Sequence, residues 1–349
     1  MNAKNLSISS NEKLTLISNF STMLAAGISI LEVVESLKED AKGNQKKLLQ
    51  YLKEDLSQGK HVYITFSRFP NVFDKVIVNI IKAAEEAGTL DTTLRDLKDS
   101  IRKDIEFNDK VKSALIYPFV IMLVFFSVMI LMLTFVIPRM SAVFLRLRVP
   151  LPLPTRILII VSNALVHNTI LFIGSLVAVA ALLFLVYKKN RLLLLNFLFS
   201  LPIISDLMRL IDLTRFSRSM YLLLAAGLTI TNALDLTREI VLKKEIKKIL
   251  NRAYETVISG KRMSDAFRVH KKIIPSIMVK IIEVGEKSGS LEKSMQEVAE
   301  YMDYAVSKKL STLLILLEPI MLVLVGILVG GMMLAIIAPI YNIIGQIQR

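Results

Sequence analysis

The sequence predicts an all-α membrane protein: two homologous cytoplasmic helical-bundle domains joined to three transmembrane helices. Three observations predict it. Long uncharged apolar runs alternate with charge-rich stretches, a set of short motifs recurs about 200 residues on, and helix-start and helix-stop signals occur without any period-2 strand pattern.

The apolar runs come first. Residues 114–137, 157–187 and 319–348 carry no Asp, Glu, Lys or Arg. A bilayer core takes about 20 apolar residues as helix, and backbone groups in lipid must pair within the segment. The spans are accordingly placed at 114–137, 169–187 and 311–341. The competing reading, a buried helix of a soluble core, fits poorly with runs of this length. Between the first two spans, residues 138–168 form an external linker. Its alternating prolines over Val149–Pro154 predict an extended connection. Leu192–Leu201 is apolar but too short to cross, and reads as a buried or interfacial helix.

Direction follows from flanking charge. Arg102, Lys103, Lys110 and Lys112 precede the first span, Lys188, Lys189 and Arg191 follow the second, and Lys308 and Lys309 precede the third. Against these stand Arg139, Arg146 and Arg148 beyond the first span and Arg349 beyond the third. The balance puts domains 1–113 and 188–310 in the cytoplasm, with the N-terminus inside and the tail 342–349 external. The opening residues lack the apolar core of a signal peptide.

Composition agrees with a mixture of spans and soluble helices. Hydrophobic residues make up 53% and mean hydropathy is +0.54, yet 21% of residues are charged. Cysteine is absent, which excludes disulfides, thiolate metal sites and a Cys nucleophile. The net charge of +14 raises nucleic acid as a partner. The basic residues gather beside apolar runs rather than on one soluble face, so membrane and partner electrostatics are preferred and nucleic acid is not expected.

The repeat is the strongest signal. Met23–Ile30 matches Leu223–Ile230 at an offset of 200. At 201, Gly59 and Lys60 match Gly260 and Lys261, Phe66 matches Phe267, and Ile80–Leu90 matches Ile281–Leu291. Pro118 then falls on Pro319. Each copy is a domain followed by an outward span, so the chain must recross between them, and the second span supplies that return.

Helix signals punctuate each copy. Over 11–26, Leu14, Ile17, Met23 and Leu24 share a face, with Phe20 on a neighbouring one. Gly27 and Gly227 suit left-handed helix ends. Ser29 with Glu32 makes a capping box, and Thr229 with Asn232 a weaker cap. Gly88 and Gly289 end a further helix, after which Thr89 or Ser290 starts the next.

The two Ala-Ala-Gly turns, the Gly285–Leu291 element, its twin at 84–90 and the membrane-entry prolines together resemble the type II secretion F-domain family. That family comprises inner-membrane platform proteins of type IV pilus and type II secretion machines. The resemblance covers about residues 11–341, and the short N-terminal extension is similar to that of type IVb-pilus platforms. One departure is Ala84, where the second copy has Gly285. The resemblance implies a bacterial inner-membrane platform with no enzymatic activity and no cofactor. It implies a cytoplasmic hexameric assembly ATPase, pilin subunits, other inner-membrane assembly proteins, membrane lipid and further copies of the chain as partners. Candidate contact or turn residues are Gly27, Gly227, Glu86, Gly88, Gly285, Glu286 and Gly289.

Chemical motifs are scarce. His61, His167 and His270 lie about a hundred residues apart, without second ligands at metal spacing. No P-loop or Gly-x-Ser-x-Gly elbow occurs; the Gly285–Gly289 stretch has the wrong spacing for phosphate and reads as a helix-ending turn. In the membrane segments, Pro118 and Pro319 start or kink the helices. Glu318 is the one acidic residue within a predicted span; it serves an interhelical or pilin contact, or is held by Lys308 or Lys309. Gly326 and Gly330 form a close-approach pair, for self-association or, preferably, packing on the first span. Residues 1–113 hold 17 basic and 16 acidic side chains, residues 188–310 hold 22 and 13. Within the latter, Lys243, Lys244, Lys247 and Lys248 share a helical face opposite Leu242, Ile246, Ile249 and Leu250. That face is either simply solvated or meets anionic lipid or an acidic partner. A transporter or channel subunit is the competing functional class, weakened by few spans and the scarcity of ionisable residues at mid-depth.

Overall fold

A computed structural model describes residues 6–146, 153–167 and 202–347. The expected second span and the apolar stretch at 192–201 lie outside the described residues. Among those residues the chain is helical without strands. In order, the helices are α1 (Ser10–Ala25), α2 (Ile30–Asp40), α3 (Gly43–Ser57), α4 (Val62–Ser67), α5 (Lys75–Ala87) and α6 (Leu90–Leu131). A π-helical turn at Met132–Val136 leads from α6 into α7 (Ile137–Arg146), followed by α8 (Leu153–His167). Then come α9 (Pro202–Ala225), α10 (Ile230–Thr237), α11 (Lys244–Ile258), α12 (Met263–Arg268), α13 (Ser276–Ser288) and α14 (Leu291–Ile347). The chain divides into two units. One contains residues up to Asp109 together with Pro202–Lys309, and the other holds Lys110 onward through α8 together with Leu310 onward.

In the first unit the order of helices runs through twice, and three of the pairs agree in length: α3 and α11 each have 15 residues, α4 and α12 six, α5 and α13 thirteen. The boundaries come from local chemistry. Ser9 and Glu12 form a full capping box on α1, the hydroxyl accepting from the Glu12 N–H at 3.2 Å and the carboxylate from the Ser9 N–H at 2.6 Å. At Ser29 only the serine half forms, accepting from the Glu32 N–H at 3.4 Å. Thr229 caps α10 as expected, through the Asn232 N–H. Gly88 and Gly289 end α5 and α13 at φ 70° and 71°, a region costly for residues with a Cβ. Gly27 and Gly227 occupy the same region, in exposed turns.

Burial departs from the expected pattern in α1. Leu16, Ile17 and Phe20 are buried, while Leu14, Met23 and Leu24 are only partly so. Phe20 therefore belongs to the core face rather than beside it, because positions 16, 17 and 20 fall together at 3.6 residues per turn. The first core joins these to Leu48, Leu52, Phe66, Phe73 and Leu94. The second is built on Leu213, Phe216, Phe267, Met278, Ile282 and Met295, and it also takes in Val76 and Ile80 from α5.

Gly285 takes part in the helix-ending turn through its carbonyl, which accepts from the Gly289 N–H and from the Ser290 N–H at 3.0 Å. It lies inside α13, buried, and a Cβ there would stand 2.3 Å from Ser294 Oγ and 2.6 Å from Ser294 Cβ. Glycine is needed because α14 crosses at this point, and Gly289 supplies the left-handed residue of the turn. Ala84, 201 residues earlier, is buried at the corresponding place in α5.

The second unit corrects three further expectations. Pro118 and Pro319 start no helix, since both lie within α6 and α14. The linker at 138–168 is largely helical, as α7 and α8. Leu153 and Pro154 open α8 rather than extend the chain, because proline is tolerated in a first helical turn where its missing N–H has no partner to lose. Leu133, Ile137 and Leu165 form a small core between the π turn, α7 and α8. The Leu133 carbonyl accepts from the Ser162 hydroxyl there. Two helical stretches, Leu90–Val143 and Leu291–Gly331, are long and apolar enough to cross a membrane.

Overpacking a closed helix crossing typically costs about 1–3 kcal/mol. Gly285→Ala is expected to lower the unfolding stability of the detergent-solubilised protein by about that amount, and Ser294→Gly in the same chain to recover part of it, as read by thermal melting.

Candidate partner-binding surfaces

The candidate residues fall into three places: carboxylate caps inside each half, a polar seam between the halves, and basic or apolar faces left open.

Helices α4 and α12 are too short to hold themselves, and their N-cap residues, His61 and Arg262, supply no side-chain cap. A carboxylate from the following long helix does so instead. Glu85 accepts from the Val62 and Tyr63 N–H groups at 2.8 and 3.2 Å. Glu286 accepts from the Met263 and Ser264 N–H groups at 2.6 and 3.3 Å. Each anion meets the positive end of a helix and satisfies two free donors. Glu86, the candidate contact residue beside Glu85, caps neither helix; it is exposed and lies 3.9 Å from Lys82. The counterpart of Glu286 is Glu85, as the offset of 201 requires. Both carboxylates are occupied within the fold.

Two other buried acids were not singled out from sequence. Asp212 in α9 is fully buried and accepts from the Leu242 and Lys243 N–H groups, holding the start of α11. Burial raises its carboxyl above the ordinary value, against those backbone hydrogen bonds. Its signal in the sequence is a lone acid between the core positions Leu213 and Phe216 on one side and Leu210 on the other. Asp55 in α3 is buried and accepts from Thr65 at 2.8 Å and Lys60 at 3.0 Å, with Arg68 at 3.1 Å. Burial pushes it up, but hydrogen bonds from Lys60 and Thr65 and the charge of Arg68 outweigh that, and the carboxyl sits below its usual range. Thr256 stands at the corresponding place, so this network belongs to the first half alone.

The seam between the halves centres on Arg218 of α9. Its guanidinium pairs with Asp104 of α6 at 2.7 Å and with Asp303 of α14. Lys103 reaches Asp303 at 3.3 Å, and Tyr221 donates to Asp96 at 2.9 Å. Burial and that bond push the Tyr221 phenol well above its ordinary range. Lys75 and Glu239 close the far end at 2.9 Å. A cavity of about 340 Å³ opens beside these groups, lined by Lys13, Asp74, Asp104 and Arg215 over an apolar floor of Ile80 and Leu222. Its two cations and two anions balance. Among the described residues no His, Cys, Asp and Glu cluster could hold a metal ion.

The basic face is smaller than the sequence implied. Lys243 is the N-cap of α11, and its ammonium is bound to Ser205 at 2.7 Å. Leu242 precedes the helix and is exposed, rather than joining Ile246, Ile249 and Leu250 in the core. Lys244, Lys247 and Lys248 remain exposed. In the second unit Glu318 is exposed, and Lys309 is paired with Asp206 at 3.0 Å instead. Around Gly326 and Gly330 nothing lies within 4 Å of an added Cβ, so this pair does not pack on the first span among the described residues.

The sequence model of the type II secretion system protein F family matches two segments, residues 16–138 and 216–339. The chain belongs to that family. Relatives of similar identity include pilus assembly proteins and type II secretion proteins. A type IV pilus assembly protein PilC of Thermus thermophilus is 27% identical over 334 residues, covering 94% of this chain and 81% of the relative. A type 4 fimbrial assembly protein PilC of Pseudomonas putida is 28% identical over 326 residues, covering 92% and 81%. A type II secretion system protein F of Aeromonas hydrophila is 27% identical over 341 residues, covering 96% and 87%.

Loss of a helix cap costs about 0.5–2 kcal/mol. Glu85→Ala and Glu286→Ala should each destabilise the protein by about 1–2 kcal/mol, while Glu86→Ala stays within about 0.5 kcal/mol, in denaturant titrations of the solubilised chain. For Asp55 the depressed carboxyl contributes stability above its ordinary value, and this is lost as pH falls through the lowered one. Asp55→Asn is therefore expected to cost about 1–3 kcal/mol at neutral pH. The melting-temperature gap to the native protein should narrow below about pH 4.

Proposed function

We propose that this chain is the inner-membrane platform of a type IV pilus machine, coupling a cytoplasmic hexameric assembly ATPase to the insertion or extraction of pilin subunits. Residues 1–113 and 188–310 act as homologous cytoplasmic domains; the spans at 114–137, 169–187 and 311–341 carry them, with the N-terminus cytoplasmic and the C-terminus external. The double match of the family's sequence model supports the duplicated reading. The platform of a type II secretion system is the alternative, since relatives of similar identity carry that name.

One observation carries the coupling. α6 and α14 begin in the soluble unit, where Leu94, Leu97, Met295 and Met302 are buried, and continue without a break into their apolar lengths. α14 has 57 residues, about 85 Å of helix, against a hydrocarbon core of about 30 Å. A displacement imposed on the soluble part of such a helix reaches its membrane part with no loop to absorb it. Pilin helices, other inner-membrane proteins and lipid then meet the exposed apolar faces, including the open Gly326 and Gly330 surface. Lys244, Lys247 and Lys248 face anionic lipid or an acidic partner. The platform has no enzymatic role in this reading.

Four glycines inserted after Lys110 should leave the protein membrane-inserted at normal level yet abolish pili in the host, scored by electron microscopy. Persistent pilus assembly would refute transmission through α6. Reporter fusions near residues 60 and 260 should both report the cytoplasm; opposite compartments would refute the topology.

A further inference from the structure

The cavity of about 340 Å³ beside the seam has walls from both halves of the first unit. Lys13 of α1, Asp74 at the N-cap of α5 and Asp104 of α6 come from the first half, Arg215 of α9 and Ile240 beyond α10 from the second. Val76, Ile77, Ile80, Leu97 and Leu222 supply buried apolar surface. Asp74, Asp104 and Arg215 are exposed, so the opening faces solvent. A largely apolar cleft of about 300–1,000 Å³ at a junction, with a few convergent polar groups, is the usual form of a small-molecule site.

The four charged side chains balance in number but differ in what they already hold. Asp104 accepts from Arg218 at 2.7 Å, and Asp74 accepts from the Ile77 N–H at 2.9 Å to cap α5. Lys13 and Arg215 make no ion pair among the described residues. The Lys13 ammonium lies 5.8 Å from the centre of the Phe73 ring, near the outer limit of a cation–π contact. Burial lowers it below the ordinary lysine value, and the charges of Asp74 and Asp104 only partly offset this. Arg215 acts on Asp212 through its charge alone, because the Asp212 oxygens are taken by the Leu242 and Lys243 N–H groups. The unfilled hydrogen-bonding capacity of the cavity is therefore cationic, and a half-buried cation without a counter-ion favours an anion beside it. Ser100 and Ser219 bring hydroxyls to the same space. The charged rim is also peculiar to this junction. At an offset of 200, Lys13 falls on Leu213 and Arg215 on Thr15; at 201, Asp74 falls on Pro275 and Asp104 on Ala305.

We propose that this cavity binds a small amphipathic anion, its phosphate held by Lys13 and Arg215 and its apolar or aromatic body resting on Ile80, Leu97 and Leu222. Phosphate suits the donors, since charge-assisted bonds from Lys and Arg are the strong ones and its remaining oxygens can take the serine hydroxyls. One cation comes from each half, so the ligand ties the halves together against α6. Neither the pilus nor the secretion reading is needed for this site.

Pyridoxal 5′-phosphate has the required form, and its aldehyde records where it sits. A lysine amine adds to the aldehyde carbon and water leaves; borohydride then delivers hydride to that carbon and solvent a proton to the nitrogen. Full-length protein in a neutral detergent is labelled at limiting reagent, reduced, digested and read by mass spectrometry. Lys13 should carry more label than the exposed Lys244, Lys247 and Lys248. Arg215→Gln, or pyridoxal lacking the phosphate, should each cut the Lys13 label about tenfold, as loss of a charge-assisted hydrogen bond does, whereas Arg215→Lys keeps most of it. Equal labelling by pyridoxal would overturn the proposal, leaving Lys13 merely reactive. So would a Lys13 label indifferent to Arg215→Gln in protein of unchanged melting; should that variant melt early, the pyridoxal comparison on the native chain decides. Competition identifies the source. Protection of Lys13 by adenosine 5′-monophosphate marks a soluble ligand, and protection by lysophosphatidic acid alone marks a lipid. Either supports the site. Protection by neither, or equally by inorganic phosphate, refutes it.

Discussion

The insertion of α5 into the core of the second half is the contact on which the first unit depends. Val76 and Ile80 belong to a helix of the first half, yet they are buried with Leu213, Phe216 and Met220 of the second. Removing apolar surface from water supplies the driving force at that junction. Arg218, Tyr221 and Lys75 then fix its register through directional bonds to Asp104, Asp96 and Glu239. Packing gives the joint its strength, and the polar groups decide which residues face each other. Both long helices leave the unit from just beside this joint, so their starting points are set by it.

Inside each half the same solution recurs to a local problem. A six-residue helix has almost no intrahelical bonds to spare, and a glutamate from the next helix supplies its missing N-terminal partners. That glutamate lies three residues before the glycine that ends its own helix, Gly88 or Gly289. Helix end and helix start are in this way tied together, and the two copies preserve the tie while their surfaces diverge. The divergence is chemical. The first half adds the buried Asp55 network, and the second adds Asp212 beneath α11.

Much of this was legible from residue patterns. The all-helical class, the left-handed turns at Gly27, Gly88, Gly227 and Gly289, and the Thr229 cap follow from local chemistry, which a single sequence displays directly. Local patterning stops where tertiary contact decides. Gly285 belongs to the helix-ending turn, as its spacing from Gly289 suggests, but the close crossing that demands glycine there depends on the position of Ser294. The capping role of Glu85 has no local signal, because the carboxylate's partner lies 23 residues away in sequence, beyond local patterning. Lys243 was counted with a solvated face because a helix wheel cannot show that Ser205 and Asp212 anchor the cap. The prolines at 152 and 154 suggested extension, whereas Pro154 is placed where a helix admits it.

The π turn at Met132–Val136 has a consequence for everything that follows it. Such a turn holds one residue more than the α-helical count, and each residue of an α-helix advances its side chain by about 100° around the axis. Ile137 and the rest of α7 are accordingly rotated by roughly that angle from where an unbroken α6 would point them. This rotation is what presents Ile137 to Leu165 of α8. The packing of α7 on α8 therefore depends on one extra residue in the helix before it, and removing that residue would turn the apolar face of α7 away from Leu165.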